Sequence, residues 1–131
     1  MRLLLDTQCW QWMVAASRRL GKRTRALLLD AGNELFLSSA SAWEIAIKHA
    51  LGRLPLPLPP AEYVPSRMLR SGTQRLAIHH GHALRAGALP PLHRDPFDRL
   101  LVAQAETEKL TLISADRVLE RYGVAFVRAD A

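Results

Sequence analysis

The sequence predicts an α/β domain in which a short, mainly parallel central sheet is covered by helices on both faces. Its predicted strands are short and apolar throughout, and they alternate along the chain with segments of helical periodicity. Strands that lack a polar face are typical of parallel sheets with both faces buried. The 131 residues, 49% of them apolar, suffice for one hydrophobic core, so we expect residues 1–131 to form a single domain.

The first half of the chain is predicted to contain two strands, each followed by helical segments. The apolar strand Arg2–Leu5 leads at once into an acid and then into a segment of helical spacing. Residues 17–31 place basic side chains ahead of an apolar run, which predicts an amphipathic helix with a basic solvent face. After a second strand at Leu35–Leu37, serines offer N-caps for a helix that runs to Leu51, where Gly52 ends it.

The second half of the chain adds three strands and several helices. Prolines at positions 55, 57, 59 and 60 predict an extended connector that is too short to separate two domains. The pair Asp95-Pro96 predicts a helix start, because the acid can cap the helix and proline fits its first position. The expected elements are a helix from about Ala61 that Pro65 interrupts or restarts, a helix from Pro96 to about Lys109, strands at 75–78, 110–113 and 124–127, and short helices at 79–88 and 115–122.

Charge, cysteine content and the N-terminal sequence indicate the kind of partner and the cellular location to expect. The net charge is +6, and 15 of the 18 basic residues are arginines, whose planar guanidinium suits phosphate, so a polyanionic partner is electrostatically allowed. The single cysteine, Cys9, forms no internal disulfide, and the apolar N-terminal run meets Asp6 too early for a signal peptide. Because no apolar run is long enough to cross a bilayer, we expect a cytoplasmic protein without membrane contact.

Four acids occupy related positions at the ends of the predicted strands. Asp6 directly follows the first strand, and Asp116 follows the fourth after Ser114. Glu44 lies in the helix after the second strand, and Asp98 lies in the first turn of the helix before the fourth. Since sites in open α/β sheets form where chains leave the carboxyl ends of the strands, these acids are expected to converge.

Each acid also has an ordinary structural interpretation. The three aspartates could cap the helices that they adjoin or complement the helix dipoles. Glu44 could pair with Lys48 on a solvated helix face. However, Ser41, Glu44 and Lys48 form one narrow polar stripe on an otherwise apolar helix, which favours a buried role for that stripe.

Converging carboxylates indicate a metal site. Such groups repel one another and raise their own pKa values unless a cation lies between them. Oxygen ligands from Asp and Glu suit Mg²⁺ or Mn²⁺, and sites of this kind favour hydrolysis of phosphodiesters. The sequence therefore predicts Mg²⁺ or Mn²⁺ as cofactor.

Four segments of the chain, in order, resemble the acidic motifs of PIN-domain proteins, specifically the VapC-type toxins of bacterial toxin–antitoxin pairs. Together they extend over nearly the whole chain, and the third is the most specific. The segments are Leu3–Thr7, Ser38–Lys48 with Leu51–Leu54, His93–Ala105 and Ile113–Asp116.

The resemblance implies a three-layer α/β/α fold and a Mg²⁺- or Mn²⁺-dependent endoribonuclease. Asp6 and Asp98 would be the main metal ligands, with Glu44 and Asp116 completing the acidic pocket directly or through water. The hydroxyls of Thr7 and Ser114 would support the metal shell, and Asp95 would serve only as the helix cap. The resemblance also implies an RNA substrate, a cognate antitoxin that inhibits the enzyme, and a homodimer.

Several other side chains have competing interpretations. Lys48, Arg94, Arg99 and Arg117 adjoin the acids and are candidates for RNA phosphate contacts, the alternative being a solvated helix face. Histidines 79, 80, 82 and 93 could suggest zinc, but no paired Cys or His motif supports it, so we interpret them as surface or helix-capping residues. The three tryptophans, at positions 10, 12 and 43, are interpreted as core residues.

Three other functions compete with RNA hydrolysis. A phosphatase that forms an aspartyl phosphate would need an acid where the chain has Gln8. A receiver-like signalling domain would need an aspartate after the third strand, yet histidines follow Ile78. A non-catalytic nucleic-acid-binding protein, in which the acids only cap helices, remains the main alternative, and metal dependence distinguishes it from a nuclease.

Overall fold

A single parallel sheet of five strands forms the centre of the computed structural model, which describes residues 1–131. In spatial order the strands are β3, β2, β1, β4 and β5, and every neighbouring pair is parallel. The predicted parallel sheet is thus confirmed. The strands are β1 (Arg2–Leu5), β2 (Glu34–Ser38), β3 (Thr73–Leu76), β4 (Thr111–Ser114) and β5 (Phe126–Arg128).

Six α-helices and one 3₁₀ helix cover the two faces of this sheet. They are α1 (Thr7–Val14), α2 (Lys22–Leu29), α3 (Ser39–Ala50), α4 (Pro60–Ser71), α5 (His80–Ala88), α6 (Pro96–Glu108) and the 3₁₀ helix Arg117–Tyr122. None of these helices combines the length and the apolar character that crossing a membrane requires.

The central strand β1 contributes side chains to both hydrophobic cores. Leu3 and Leu5 pack with residues of α1 to α4, whereas Leu4 packs with α6 and the 3₁₀ helix on the opposite face. All three leucines are fully buried, and each such burial stabilises the fold by roughly 1.5–3 kcal/mol. This alternation produces the three-layer α/β/α architecture that the motif resemblance implied.

The register of the sheet places three polar residues at one edge. Leu5 of β1 is aligned with Leu37 of β2 and with Ile113 of β4. The residues that follow these positions, Asp6, Ser38 and Ser114, are therefore level with one another at the carboxyl ends of the strands.

Residues 17–21 are not helical, contrary to the prediction of one helix over 17–31. Ala16 has a left-handed conformation with φ 51°, so the chain leaves the helical path after α1. Gly21 then lies against the C-terminal backbone, where its N–H donates to the Ala129 carbonyl at 2.9 Å. A Cβ at Gly21 would lie 2.2 Å from the carbonyl carbon of Ala131, so this contact requires glycine and delays the helix to Lys22.

Smaller differences from the predicted elements have local causes. The third strand begins at Thr73 rather than 75, because Gly72 adopts φ 66° and ends α4 immediately before it. Helix α4 continues through Pro65, since buried Val64 and Met68 hold it against the core despite one missing N–H. The predicted helix at 115–122 is a 3₁₀ helix that starts at Arg117.

Replacing Gly21 by alanine should destabilise the protein. The added methyl group would overlap the C-terminal backbone, which we expect to lower the free energy of unfolding by about 1–3 kcal/mol. The measurement is a denaturant midpoint for Gly21→Ala beside Gly81→Ala. Nothing lies within 4 Å of a Cβ at Gly81 in α5, so that control should be neutral or slightly stabilising. Equal midpoints for the two variants would contradict the packing described.

Candidate acidic active site

All four predicted acids line one cleft at the carboxyl edge of the sheet. The cleft has a volume of about 250 Å³, and its nine lining residues include no hydrophobic side chain. Five of them are carboxylates, whereas only one is a cation. They are Asp6, Thr7, Gln8, Gln11, Glu44, Lys48, Asp95, Asp98 and Asp116.

Asp6 is the N-cap of α1 and also faces this cleft. Its Oδ1 accepts a 2.8 Å hydrogen bond from the backbone N–H of Cys9, and the residue is only 8% exposed. Burial, with repulsion from Glu44 and Asp116, raises the pKa of Asp6 to about 6, although hydrogen bonds from Ser114 and Cys9 act in the opposite direction. Capping alone therefore does not account for the environment of Asp6.

Glu44 projects from α3 into a network that joins this helix to α1. The Thr7 hydroxyl lies 2.6 Å from Glu44 Oε1, and a 2.9 Å hydrogen bond joins the hydroxyls of Thr7 and Ser41. Lys48 Nζ lies 2.8 Å from Glu44 Oε2. The Glu44–Lys48 pair thus forms, but the glutamate is buried, and the alternative of a solvated face is wrong for this residue.

The two acids at the start of α6 differ in their contacts. Asp95 is the N-cap, since its Oδ1 accepts from the backbone N–H of Phe97 at 2.8 Å, and Pro96 takes the first helical position. Asp98, in the first turn of the helix, has its pKa raised to about 7 by burial and then by the neighbouring carboxylates, whereas His93 opposes the shift.

Asp116 is fixed at the start of the 3₁₀ helix. Its Oδ1 accepts from the backbone N–H of Val118 at 3.0 Å, and its own N–H donates to Ser114 Oγ at 3.0 Å. Its Oδ2 lies 2.7 Å from His93 Nε2, and the same nitrogen lies 3.5 Å from Asp98 Oδ2. Ligand atoms of His93, Asp98 and Asp116 lie within 4.8 Å of one another.

The sequence interpretation missed His93 as a member of this site. It grouped His93 with three other histidines, of which His82 has a structural role in α5. The two ring nitrogens of His82 contact the backbone N–H of His79 at 3.0 Å and Glu108 Oε1 at 2.8 Å. The signal that could have found His93 is its place two residues before the Asp95 cap.

One expected phosphate contact requires correction. The Arg99 guanidinium donates to the backbone carbonyls of Ala86 at 2.8 Å, Leu89 at 3.0 Å and Pro90 at 3.0 Å. Because its donors are used within the protein, Arg99 fastens the segment between α5 and α6 rather than facing a ligand. The other candidates, Lys48, Arg94 and Arg117, are exposed.

The tryptophans divide into two kinds. Trp10 is fully buried and contacts Tyr63 edge-on with 6.4 Å between ring centroids, and Trp12 packs against the same core. Trp43 is 61% exposed and contacts Phe97 edge-on at 5.4 Å. The prediction that Trp43 belongs to the core is wrong, because this face of α3 turns away from the sheet.

Comparisons with known proteins agree with this architecture. A family model described as PIN domain matches residues 3–125. The chain is 56% identical over 59 residues to Ribonuclease VapC16 of Mycobacterium tuberculosis, a match that spans 45% of this chain and 42% of that relative's length. Among solved structures, VapBC2 from Rickettsia felis bound to a promoter DNA fragment has a TM-score of 0.71 at 14% identity and covers 98% of both chains. VapBC-1 from nontypeable Haemophilus influenzae has a TM-score of 0.68 at 16% identity and covers 100% of both.

The raised pKa of Asp6 predicts a pH-dependent effect of Asp6→Asn on metal-free protein. Below pH 4 the carboxyl is protonated in the folded and unfolded states, whereas above its folded pKa of about 6 the fold contains a buried charge. The protein therefore loses folding stability through the Asp6 carboxyl as the pH rises from about 4 to 6, and this loss persists at higher pH. Asparagine retains the cap, so at pH 8 the variant should be more stable than wild type by about 2 kcal/mol, and at pH 4 the two should be similar.

Denaturant unfolding at the two pH values measures this difference. Glu62→Gln, at an exposed position of α4, is the control and should show no comparable change between pH 4 and pH 8. An effect of Asp6→Asn that is the same at both pH values would contradict the assigned environment.

Proposed function

This chain belongs to the PIN-domain family, and from its acidic cleft we propose that it is a divalent-metal-dependent endoribonuclease, the toxin of a toxin–antitoxin pair. The observation that carries the proposal is the composition of the cleft, in which five carboxylates face one lysine. That lysine is already paired with Glu44. The cleft therefore has an uncompensated negative charge that a bound cation would neutralise.

The donor set fits Mg²⁺ or Mn²⁺. All four acids offer carboxylate oxygens, which are the ligands that these hard cations prefer. Asp6 and Asp98, whose pKa values are raised to about 6 and 7, would hold the ion directly. Glu44 and Asp116 would complete the site directly or through water.

The hydroxyls of Thr7 and Ser114 support these acids. Thr7 fixes one oxygen of Glu44, and Ser114 accepts from the backbone N–H of Asp116 while its hydroxyl stabilises the Asp6 carboxylate. When bound, the ion would promote ionisation of water and stabilise negative charge on a phosphodiester. The chain's part in the reaction is to hold the acids in place in a cleft whose lining has no hydrophobic side chain.

RNA is the proposed substrate. Lys48 is half exposed at the rim of the cleft and can approach a phosphate while it neutralises Glu44. Arg94 and Arg117, both exposed, directly follow His93 and Asp116 in the sequence and are candidates for further phosphate contacts. The relative named Ribonuclease VapC16 supports the same class of substrate.

A cognate antitoxin and a second copy of the chain are the proposed partners. Both solved VapBC structures reported above support the antitoxin, since each covers at least 98% of this chain at a TM-score near 0.7. Five carboxylates in one cleft favour an antitoxin segment that delivers a basic side chain to them.

A non-catalytic nucleic-acid-binding protein explains fewer of these contacts. Asp6, Asp95 and Asp116 do cap helices, as that alternative requires. Glu44 and Asp98 cap nothing, and the burial of Asp98 beside other acids disfavours its charged form unless a cation binds.

Asp98→Asn should lower RNA cleavage by roughly two to three orders of magnitude, because it removes the charge of a proposed direct ligand. Asp95→Asn in the same helix is the matched control. Asparagine is an equally good N-cap, so this variant should retain most of the activity. Initial rates on a fluorophore-labelled RNA in Mn²⁺ measure both. Equal rates for Asp98→Asn and wild type would show that the site is assigned wrongly.

Removal of the metal distinguishes the nuclease from a binding protein. Cleavage by antitoxin-free protein should stop when a chelator is added and return with excess Mg²⁺ or Mn²⁺. Gel analysis of RNA length and a filter-binding assay on the same samples separate cleavage from binding. RNA that binds equally well with and without chelator and is never shortened would support the non-catalytic alternative.

A further inference from the structure

His93 is fixed through its main chain and both ring nitrogens. Its backbone N–H donates to the Tyr122 hydroxyl at 2.9 Å, and its carbonyl accepts from the Arg99 guanidinium at 3.4 Å. Its Nδ1 accepts from the backbone N–H of Asp95 at 3.0 Å, and its Nε2 lies 2.7 Å from Asp116 Oδ2. The side chain is 18% exposed, so the ring has little freedom to rotate away from these partners.

These contacts determine which ring nitrogen carries the hydrogen in the neutral imidazole. An N–H points at Nδ1, which must therefore present its lone pair. The hydrogen then lies on Nε2, where a carboxylate oxygen is the acceptor. Both hydrogen bonds are satisfied by this tautomer, and neither is satisfied by the other.

The same tautomer bears on metal binding. Because Nε2 lies close to oxygens of Asp98 and Asp116, its position alone would allow it to be a third ligand of a metal bound there. A neutral imidazole that binds a metal through Nε2 needs its hydrogen on Nδ1, where it would meet the N–H of Asp95. The surroundings of the ring thus favour a donor at Nε2 rather than a ligand.

We propose that His93 is a positioning residue of the nuclease site, whose Nε2–H orients the Asp116 carboxylate and does not bind the metal. Asp116 is then held at both oxygens, by Val118 on one side and His93 on the other. Arg99 and Tyr122 hold the backbone that carries the ring, which gives these two residues an indirect part in the site. The role of Asp116 in this inference rests on the proposed function, whereas the tautomer does not.

The tautomer can be measured on the full chain without metal. In ¹⁵N-labelled protein at a pH where the ring is neutral, long-range ¹H–¹⁵N correlations report which imidazole nitrogen carries hydrogen. Signals absent from His93→Gln identify His93. The expected result is hydrogen on Nε2 and a lone pair on Nδ1. Hydrogen on Nδ1, or an even mixture of the two forms, would overturn the inference.

Mn²⁺ then tests positioning against ligation. Calorimetric titration should show that His93→Ala binds Mn²⁺ about 10- to 100-fold more weakly than wild type, as is usual when the support of a metal ligand is removed. His93→Gln should recover most of the affinity, because its side-chain amide can donate to Asp116. His80→Ala, at an exposed position of α5, is the control and should match wild type.

Pulsed EPR of bound Mn²⁺ gives the independent signature. The spectrum of wild type should lack the ¹⁴N coupling of a directly bonded imidazole. If wild type shows such a coupling and His93→Ala does not, His93 is a metal ligand, and the proposal is overturned. Equal losses of affinity in the Gln and Ala variants would also overturn it. If wild type binds no Mn²⁺, the proposed function fails, and the tautomer measurement still decides the assignment of His93.

Discussion

Five carboxylates crowd one cleft at the carboxyl edge of the sheet. Burial alone disfavours an ionised Asp6 or Asp98, and the neighbouring acids add to the effect. Hydrogen bonds from Cys9 and Ser114 oppose the shift at Asp6, but the net direction is still upward. The fold therefore holds these acids in place while stabilising their charges only in part, which is the property expected of a site that a cation completes.

Helix N-termini offset part of the unfavourable free energy of burying these ionised carboxylates. Asp6, Asp95 and Asp116 each cap a helix, so the positive ends of α1, α6 and the 3₁₀ helix all point toward the acidic cleft. Lys48 supplies the one formal positive charge on its lining. The apolar strand β1, buried on both faces, fixes the edge at which these groups meet. Residues that stabilise the fold as helix caps thus also face the proposed metal site.

The parts of the fold and site that sequence could predict are those set by local pattern. The strand ends place Asp6 and Asp116, and the Asp95-Pro96 pair marks the start of α6. Contacts between distant segments were not predictable in this way. Arg99 reaches back to the carbonyls of the 86–93 segment, and Gly21 meets a C-terminal backbone that is remote in sequence. His93 lies two residues before the Asp95 cap, but its contact with Asp116 joins segments 23 residues apart, so local pattern alone does not place it in the site.

Diffraction from crystals grown with Mn²⁺, recorded near the manganese absorption edge, shows whether the acidic cleft binds a metal ion. One or two strong anomalous peaks are expected inside the cleft, within bonding distance of carboxylate oxygens of Asp6 and Asp98. These peaks should be absent from crystals of the double variant Asp6→Asn, Asp98→Asn. A cleft without an anomalous peak at saturating Mn²⁺, or a peak elsewhere on the protein that persists in the double variant, would contradict the proposed metal site.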